Sequence, residues 1–174
     1  MLSYTILKFP WGRIFLAKKN KGLSLAHFIK DDAQLKRLTE SIKKKDISLS
    51  LDQSRFIEEK KLFSRYFEGE KEDFTSLTLD FISGTSFQKK VWKEARKIPY
   101  GQTRSYKFLA ERLNHKGYRS VGQAIGQNPL LIVIPCHRVI SSDGSLGGFG
   151  AGLEVKKFLL RLEGIEASPN WSWK

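Results

Sequence analysis

The stretch SYKFLAERLNHKGYRSVGQAIGQ, residues 105–127, decides the fold of the C-terminal half. Tyr106, Leu109, Ala110 and Leu113 recur at spacings of three and four, which lays one apolar stripe along a short helix. Asn114-His115-Lys116-Gly117 breaks that stripe, and Val121, Ala124 and Ile125 resume it over Tyr118 to Gln127. Two short helices joined by a Gly-containing turn are the pattern of a helix-turn-helix, whose second helix meets DNA. Taken alone, the pattern also fits a helical hairpin in an ordinary core. Two features favour the first reading. Gly122 and Gly126 each cost about 1 kcal/mol relative to Ala inside a helix, so a close backbone approach is expected there. Arg119 stands in the first turn, where a cation opposes the helix dipole, and reaching into a polyanion is a reason for it to be there. A solvated surface charge is the plainer alternative.

Charge supports a nucleic-acid partner. Residues 1–84 hold 16 Lys and Arg against 12 Asp and Glu, whereas residues 85–174 hold 15 against 6, so most of the net charge of +13 belongs to the second half. Membrane headgroups would be drawn by the same field. However, no run of 18 apolar residues is present, and Lys8, Pro10 and Arg13 are unlike the apolar stretch of a secretory leader. A soluble cytoplasmic protein is expected, or a nuclear one in a eukaryote, monomeric when free. Its single cysteine and three scattered histidines, His27, His115 and His137, give no spacing for a disulfide or a structural zinc, so no metal or cofactor is expected.

Downstream, Leu130-Leu131-Ile132-Val133-Ile134 reads as a buried strand that Pro135 stops, leaving Cys136 where the buried segment ends. A lone cysteine is commonly a small core residue. Here His137 and Arg138 follow it, and nearby positive charge would stabilise a thiolate. In extended chain His137 would point away from the sulfur, with a bridging water completing the contact. A final helix with Val155, Phe158, Leu159 and Leu162 on one face places Glu163 in its last turn, where an acid is disfavoured unless a cation pairs with it. Glu163 is thus a candidate partner for His137, against the alternative of an exposed carboxylate at a frayed end.

Upstream, Thr85 or Ser86 caps a helix bearing Phe87, Val91, Trp92 and Ala95, and Pro99-Tyr100-Gly101 ends it. The change of character at Gly84 predicts two domains, 1–84 and 85–174. In the first, Tyr4 to Phe9, Arg13 to Lys18 and Leu23 to Phe28 read as a small meander, with turns at Pro10-Trp11-Gly12 and Asn20-Lys21-Gly22. Helices are predicted after Asp31-Asp32 and over Ser54 to Glu68, and a further strand over Leu77 to Ile82.

These motifs together resemble the O6-alkylguanine-DNA alkyltransferases, also called methylated-DNA-protein-cysteine methyltransferases. The resemblance rests on Gly84-Thr85 with Phe87-Gln88 and Val91-Trp92, and on Ile98-Pro99-Tyr100-Gly101 with Ser105-Tyr106. It continues through Arg119 with Val121-Gly122, Asn128-Pro129, Pro135-Cys136-His137-Arg138-Val139, and Gly152-Leu153 through Glu163-Gly164. It implies an α/β N-terminal domain on a small antiparallel sheet, followed by a mainly helical C-terminal domain with a winged helix-turn-helix. The implied partner is double-stranded DNA containing alkylated guanine, with O4-alkylthymine as a second candidate lesion. DNA contacts would fall to Arg119, Tyr106, Ser120 and Gln123, with the second helix in the minor groove and Arg119 filling the gap left by a flipped base.

The implied chemistry is a single, irreversible transfer of the alkyl group to Cys136. His137 would take the thiol proton through water, Glu163 would orient His137, Tyr106 would assist the leaving base, and Asn128 would tie the helix-turn-helix to the cysteine segment. Pro135, Phe149, Gly150 and Ala151 would line the base pocket, where Phe149 replaces a tyrosine of many relatives and leaves the preferred alkyl size open. Two other readings remain on sequence alone: a lesion-binding protein without chemistry, and a winged-helix transcription regulator.

Overall fold

In the computed structural model, which describes residues 1–20 and 22–166, the N-terminal half is a four-stranded sheet covered on both faces. Strands β1 (Leu2–Phe9), β2 (Gly12–Lys18) and β3 (Leu23–Ile29) form the antiparallel meander, with Phe9 opposite Gly12 across the first turn. The second predicted turn includes Lys21, which lies outside the described residues. Strand β4 (Leu49–Leu51), not anticipated from the sequence, adds to β1 in parallel, giving the order β3-β2-β1-β4. Alternation in β2 explains its four consecutive buried residues. Ile14 and Leu16 face one cluster, Phe15 and Ala17 the other, because helices lie on both sides.

Helix α1 (Asp32–Lys43) starts at Asp31, whose carboxylate accepts the Gln34 N–H at 2.6 Å, and packs Ile42 against Phe15 and Ala17. The second predicted helix begins as a single 3-10 turn over Gln53–Phe56 and continues as α2 (Ile57–Phe67), which buries Leu62, Phe63 and Tyr66 on the opposite face.

The C-terminal half is mainly helical. Thr85 and Gln88 form a reciprocal capping box that opens α3 (Ser86–Ala95). Helices α4 (Tyr106–Arg112) and α5 (Tyr118–Gly126) form the helix-turn-helix, and Trp92 Nε1 donates to the Ala124 carbonyl at 2.7 Å, fastening α3 to α5. Strands β5 (Arg104–Ser105) and β6 (Val139–Ile140) pair in parallel beside it, and α6 (Leu153–Leu162) closes the half.

Two predicted strands are corrected. Leu77 to Ile82 is irregular and pairs with the sheet through a single bridge, Leu79 to Leu23. Leu130 to Ile134 is buried but folds back on itself: Ile132 has φ 73°, and the Ile134 N–H donates to the Leu130 carbonyl at 2.8 Å. Alternation gave the first run, and burial the second, a strand-like composition. The free edge of β3 is covered by these two segments, through Leu23 N–H to Thr78 O at 2.9 Å and Ala26 N–H to Pro129 O at 2.9 Å. The cysteine-bearing segment is therefore seated on the N-terminal sheet.

Candidate active site

Cys136 opens a one-turn 3-10 helix, Cys136–Arg138, and is 2 % exposed. The expected extended chain is absent here because the backbone has already reversed at Ile132. A β-branched residue in the left-handed region costs on the order of 1–3 kcal/mol, so neighbouring contacts must hold it. Asn128 supplies them. Its Oδ1 accepts the Leu130 N–H at 2.9 Å, and its Nδ2 donates to the Ile134 carbonyl at 2.9 Å and approaches Cys136 Sγ at 3.2 Å. One side chain, two residues past the end of α5, thus sets the turn and the sulfur together.

The electrostatics of the thiol differ from the expectation. Burial pushes its pKa up to about 11, against the opposing influence of the Asn128 hydrogen bond and the Lys156 charge. The side chains of His137 and Arg138 do not offset this, since both turn to Glu163. Arg138 grips the carboxylate with Nε to Oε2 at 2.8 Å and Nη2 to Oε1 at 2.9 Å, while its Nη1 donates to the Ile98 carbonyl at 2.6 Å. His137 Nε2 lies 2.6 Å from Oε1, and the Gly101 N–H reaches Oε2 at 3.1 Å. Gly101 adopts φ 73°, a conformation that suits glycine and turns its N–H toward Glu163.

Protonation states follow from this geometry. Burial would raise the pKa of Glu163, but the bonds and charges of His137 and Arg138 outweigh it and hold the carboxyl at about 2. Burial lowers the pKa of His137 despite Glu163, so the ring is neutral and Arg138 is the counterion. A neutral ring that donates from Nε2 leaves a lone pair on Nδ1. That atom is buried and has no hydrogen-bond partner among the described residues. It is a proton acceptor in waiting, one residue from the thiol.

Tyr106 connects this buried centre to the surface. The β5–β6 pairing leads directly into α4, whose first residue is Tyr106 and whose cap is Ser105, accepting the Phe108 N–H at 3.0 Å. Burial, then the nearby Cys136, raises the phenol's pKa, so it remains a donor at neutral pH. Gly147, at φ 62°, presses on the other side: a Cβ there would fall 2.8 Å from the Tyr106 hydroxyl. The ring also lines a cleft of about 550 Å³ with Tyr118, Arg119, Gly122 and Ser141 to Asp143. A phenol shared by a nucleophile's surroundings and a basic cleft can serve a substrate that enters from a polyanion.

Residues 2–81 match the family profile described as the ribonuclease-like domain of 6-O-methylguanine DNA methyltransferase, and residues 86–165 match its DNA-binding domain. The methylated-DNA–protein-cysteine methyltransferase of Methanosarcina barkeri is 42% identical over 93% of this chain and 97% of its own. That of Haemophilus influenzae is 39% identical over 94% and 87%. The crystal structure of Mycobacterium tuberculosis OGT in complex with DNA superposes with a TM-score of 0.79 at 33% identity, covering 97% and 96% of the two chains. The chain belongs to the 6-O-methylguanine DNA methyltransferase family.

Within this family member the expected site residues fall into three places. Cys136, His137, Glu163, Asn128 and Tyr106 converge as described. Pro135 precedes the 3-10 turn, Phe149 and Ala151 are half-buried against the main core, and Gly150 is exposed. Arg119 and Gln123 are exposed on α5. The Ser120 hydroxyl is already engaged, donating to Gly117 O at 2.7 Å and therefore receiving the His115 Nε2 proton, also at 2.7 Å. Gly122 and Gly126 are not tight against the protein. A Cβ on the first would make ordinary contact with Tyr106 at 3.7 Å, and one on the second would meet open space.

Two functional groups, Lys156 and Tyr66, escaped the sequence reading, and Arg138, read there as a charge for the thiolate, serves Glu163 instead. Lys156 is fully buried, with Nζ donating to Val139 O at 2.6 Å and to Leu146 O, and burial lowers its pKa to about 8. The apolar stripe of α6 gave no sign that a lysine lay inside. Arg138 and Tyr66 also close on Glu163. The one available signal for Arg138 was that an acid at a helix C-terminus requires a cation.

Proposed function

We propose that this protein repairs DNA by moving an alkyl group from O6 of guanine to Cys136 Sγ, once per molecule. The observation that carries this reading is the buried thiol, its pKa raised by burial, held beside a neutral His137 that is bonded to the Glu163 carboxylate, beneath a phenol that opens onto a basic cleft. His137 Nδ1 takes the thiol proton through a water, and the sulfur attacks the alkyl carbon as its bond to O6 breaks. Tyr106 donates to the departing base. The product is a thioether, which offers no acyl carbon to water, so the sulfur is not regenerated.

A base stacked in duplex DNA cannot bring its O6 substituent to a buried sulfur, so the nucleotide is flipped, with Arg119 occupying the vacated place. Gly122 and Gly126, free of protein contacts that need glycine, leave room for the DNA backbone on α5. The division near Gly84 then separates a sheet domain that seats the cysteine segment from a domain that meets DNA. No helix among the described residues is long and apolar enough to cross a membrane, and the proposed workplace is the compartment that holds the DNA.

Incubation with DNA containing O6-methylguanine is expected to add one methyl to the intact mass, on Cys136, and none to Cys136→Ala. A parent protein that stays unmodified overturns the reading in favour of lesion binding without chemistry. Arg119→Ala is expected to slow transfer from duplex DNA roughly tenfold or more while leaving free O6-benzylguanine nearly unaffected. Equal slowing of both removes the flipping role.

A further inference from the structure

Glu163 belongs to the C-terminal half, yet one of its donors comes from the N-terminal half. Tyr66, on α2, is fully buried; its hydroxyl donates to Glu163 Oε1 at 2.7 Å and stands 3.4 Å from His137 Nε2. The adjacent Phe67 fixes α2 in place, its ring 4.2 Å from that of Trp11, which in turn packs 5.0 Å from Phe158 of α6. Packing does not explain the hydroxyl. A phenylalanine would fill the same space, and a buried hydroxyl is costly unless it is paired. Satisfying Glu163 does not explain it either, because Oε1 already receives His137 and Arg138.

We propose that Tyr66 is a positioning residue for proton removal from Cys136: its hydroxyl anchors Glu163 Oε1 and withdraws charge from it, keeping His137 neutral until the thiol proton arrives. The inference rests on the alkyl-transfer reading above. The groups facing His137 are Lys156 from α6 and Glu163 at its C-terminal cap, Arg138 and Cys136 from its own segment, Tyr66 from α2 and, beyond the phenol, Tyr100. Arg138 and Lys156 oppose protonation of the ring, and Glu163 alone favours it. Loss of the Tyr66 donor concentrates negative charge on Oε1 beside the Nε2–H. Imidazolium is then stabilised, and His137 loses its accepting lone pair at a higher pH than before.

The test is the pH profile of alkyl transfer from free O6-benzylguanine, from about pH 5 to 9, for the parent and two variants. Tyr66→Phe is expected to move the acid limb to higher pH, making transfer about three- to tenfold slower at pH 6 with a smaller deficit at pH 8. 3-Fluorotyrosine at position 66 keeps the shape and fold while strengthening the donor, and is expected to move the limb to lower pH. A Tyr66→Phe protein that melts at lower temperature but keeps the parent's limb has lost only stability, and the proposal fails. Should Tyr66→Phe not fold, an unmoved limb in the fluorotyrosine protein overturns the proposal equally. Absence of transfer by the parent itself would instead refute the functional reading.

Discussion

Both halves of the molecule bury glutamates, and the most buried of the N-terminal half, Glu59, is built differently from Glu163. Glu59 in the N-terminal half is 3 % exposed and meets one cation, Lys18 Nζ at 2.7 Å, while its Oε2 has no partner among the described residues. That lysine lies over the Phe56 ring at 5.0 Å and remains partly open to solvent. Glu163 receives donors from Arg138, His137, Tyr66 and Gly101, drawn from three separate segments. A single flexible ion pair tolerates a buried acid. A converging set of rigid donors fixes its position and its charge, as a proton relay requires.

The largest test of this contrast is Glu163→Gln. It leaves Arg138 buried without its counterion, and the expected loss is about 3–5 kcal/mol of stability by denaturant titration, with transfer slowed at least a hundredfold. The carboxyl's depressed pKa gives a second reading of the same interaction. The parent should hold this stabilisation above about pH 4.5 and lose it as pH falls toward 2, whereas Glu163→Gln should lack that acid-dependent step. A Gln variant as stable as the parent would erase the distinction between the two glutamates.

Cys136 offers a test on the alkaline side. Its raised pKa means that the folded state favours the thiol while the unfolded chain ionises first. Stability should therefore decline as pH rises from about 9 toward 11, by on the order of 1–3 kcal/mol, and Cys136→Ala should decline less. An identical alkaline decline in both proteins would contradict a buried, protonated sulfur. The smallest effect is expected for Glu59→Gln, about 1 kcal/mol or less with transfer unchanged, because one partly open ion pair is lost. A cost comparable to that of Glu163→Gln would show that donor number does not separate the two sites.

Much of this arrangement was legible in the residues, and the omissions share a cause. The spacing of Leu109, Ala110, Val121 and Ile125 around Gly117 marked the helix-turn-helix because periodicity is a local property of the chain. Pro135 marked the place where the chain turns into the 3-10 helix that carries Cys136, although the burial expected to end there continues through Val139, and the acid at the end of α6 marked Glu163. The reversal at Ile132 was hidden, since an unbroken apolar run looks alike whether it runs straight or turns. Tyr66 occupied a core position of an amphipathic helix, where a tyrosine reads as bulk, and its partner lies 97 residues away. Lys156 was concealed by its charge, which reads as solvent-facing until the carbonyls of Val139 and Leu146 are seen around it. The family resemblance supplied the guanine and the alkyl group, which no periodicity encodes.

The contact between Gly147 and Tyr106 bears on how the protein could be re-tooled. A side chain at 147 would collide with the phenol, yet one at Gly148, a single residue further, would meet nothing within 4 Å. The loop from Leu146 to Ala151 thus has one immovable pivot followed by open space at Gly148, before Phe149 and Ala151 pack against the main core. Libraries aimed at bulkier lesions should hold position 147 constant and diversify 148, where a new wall can be raised without disturbing the Tyr106 hydroxyl.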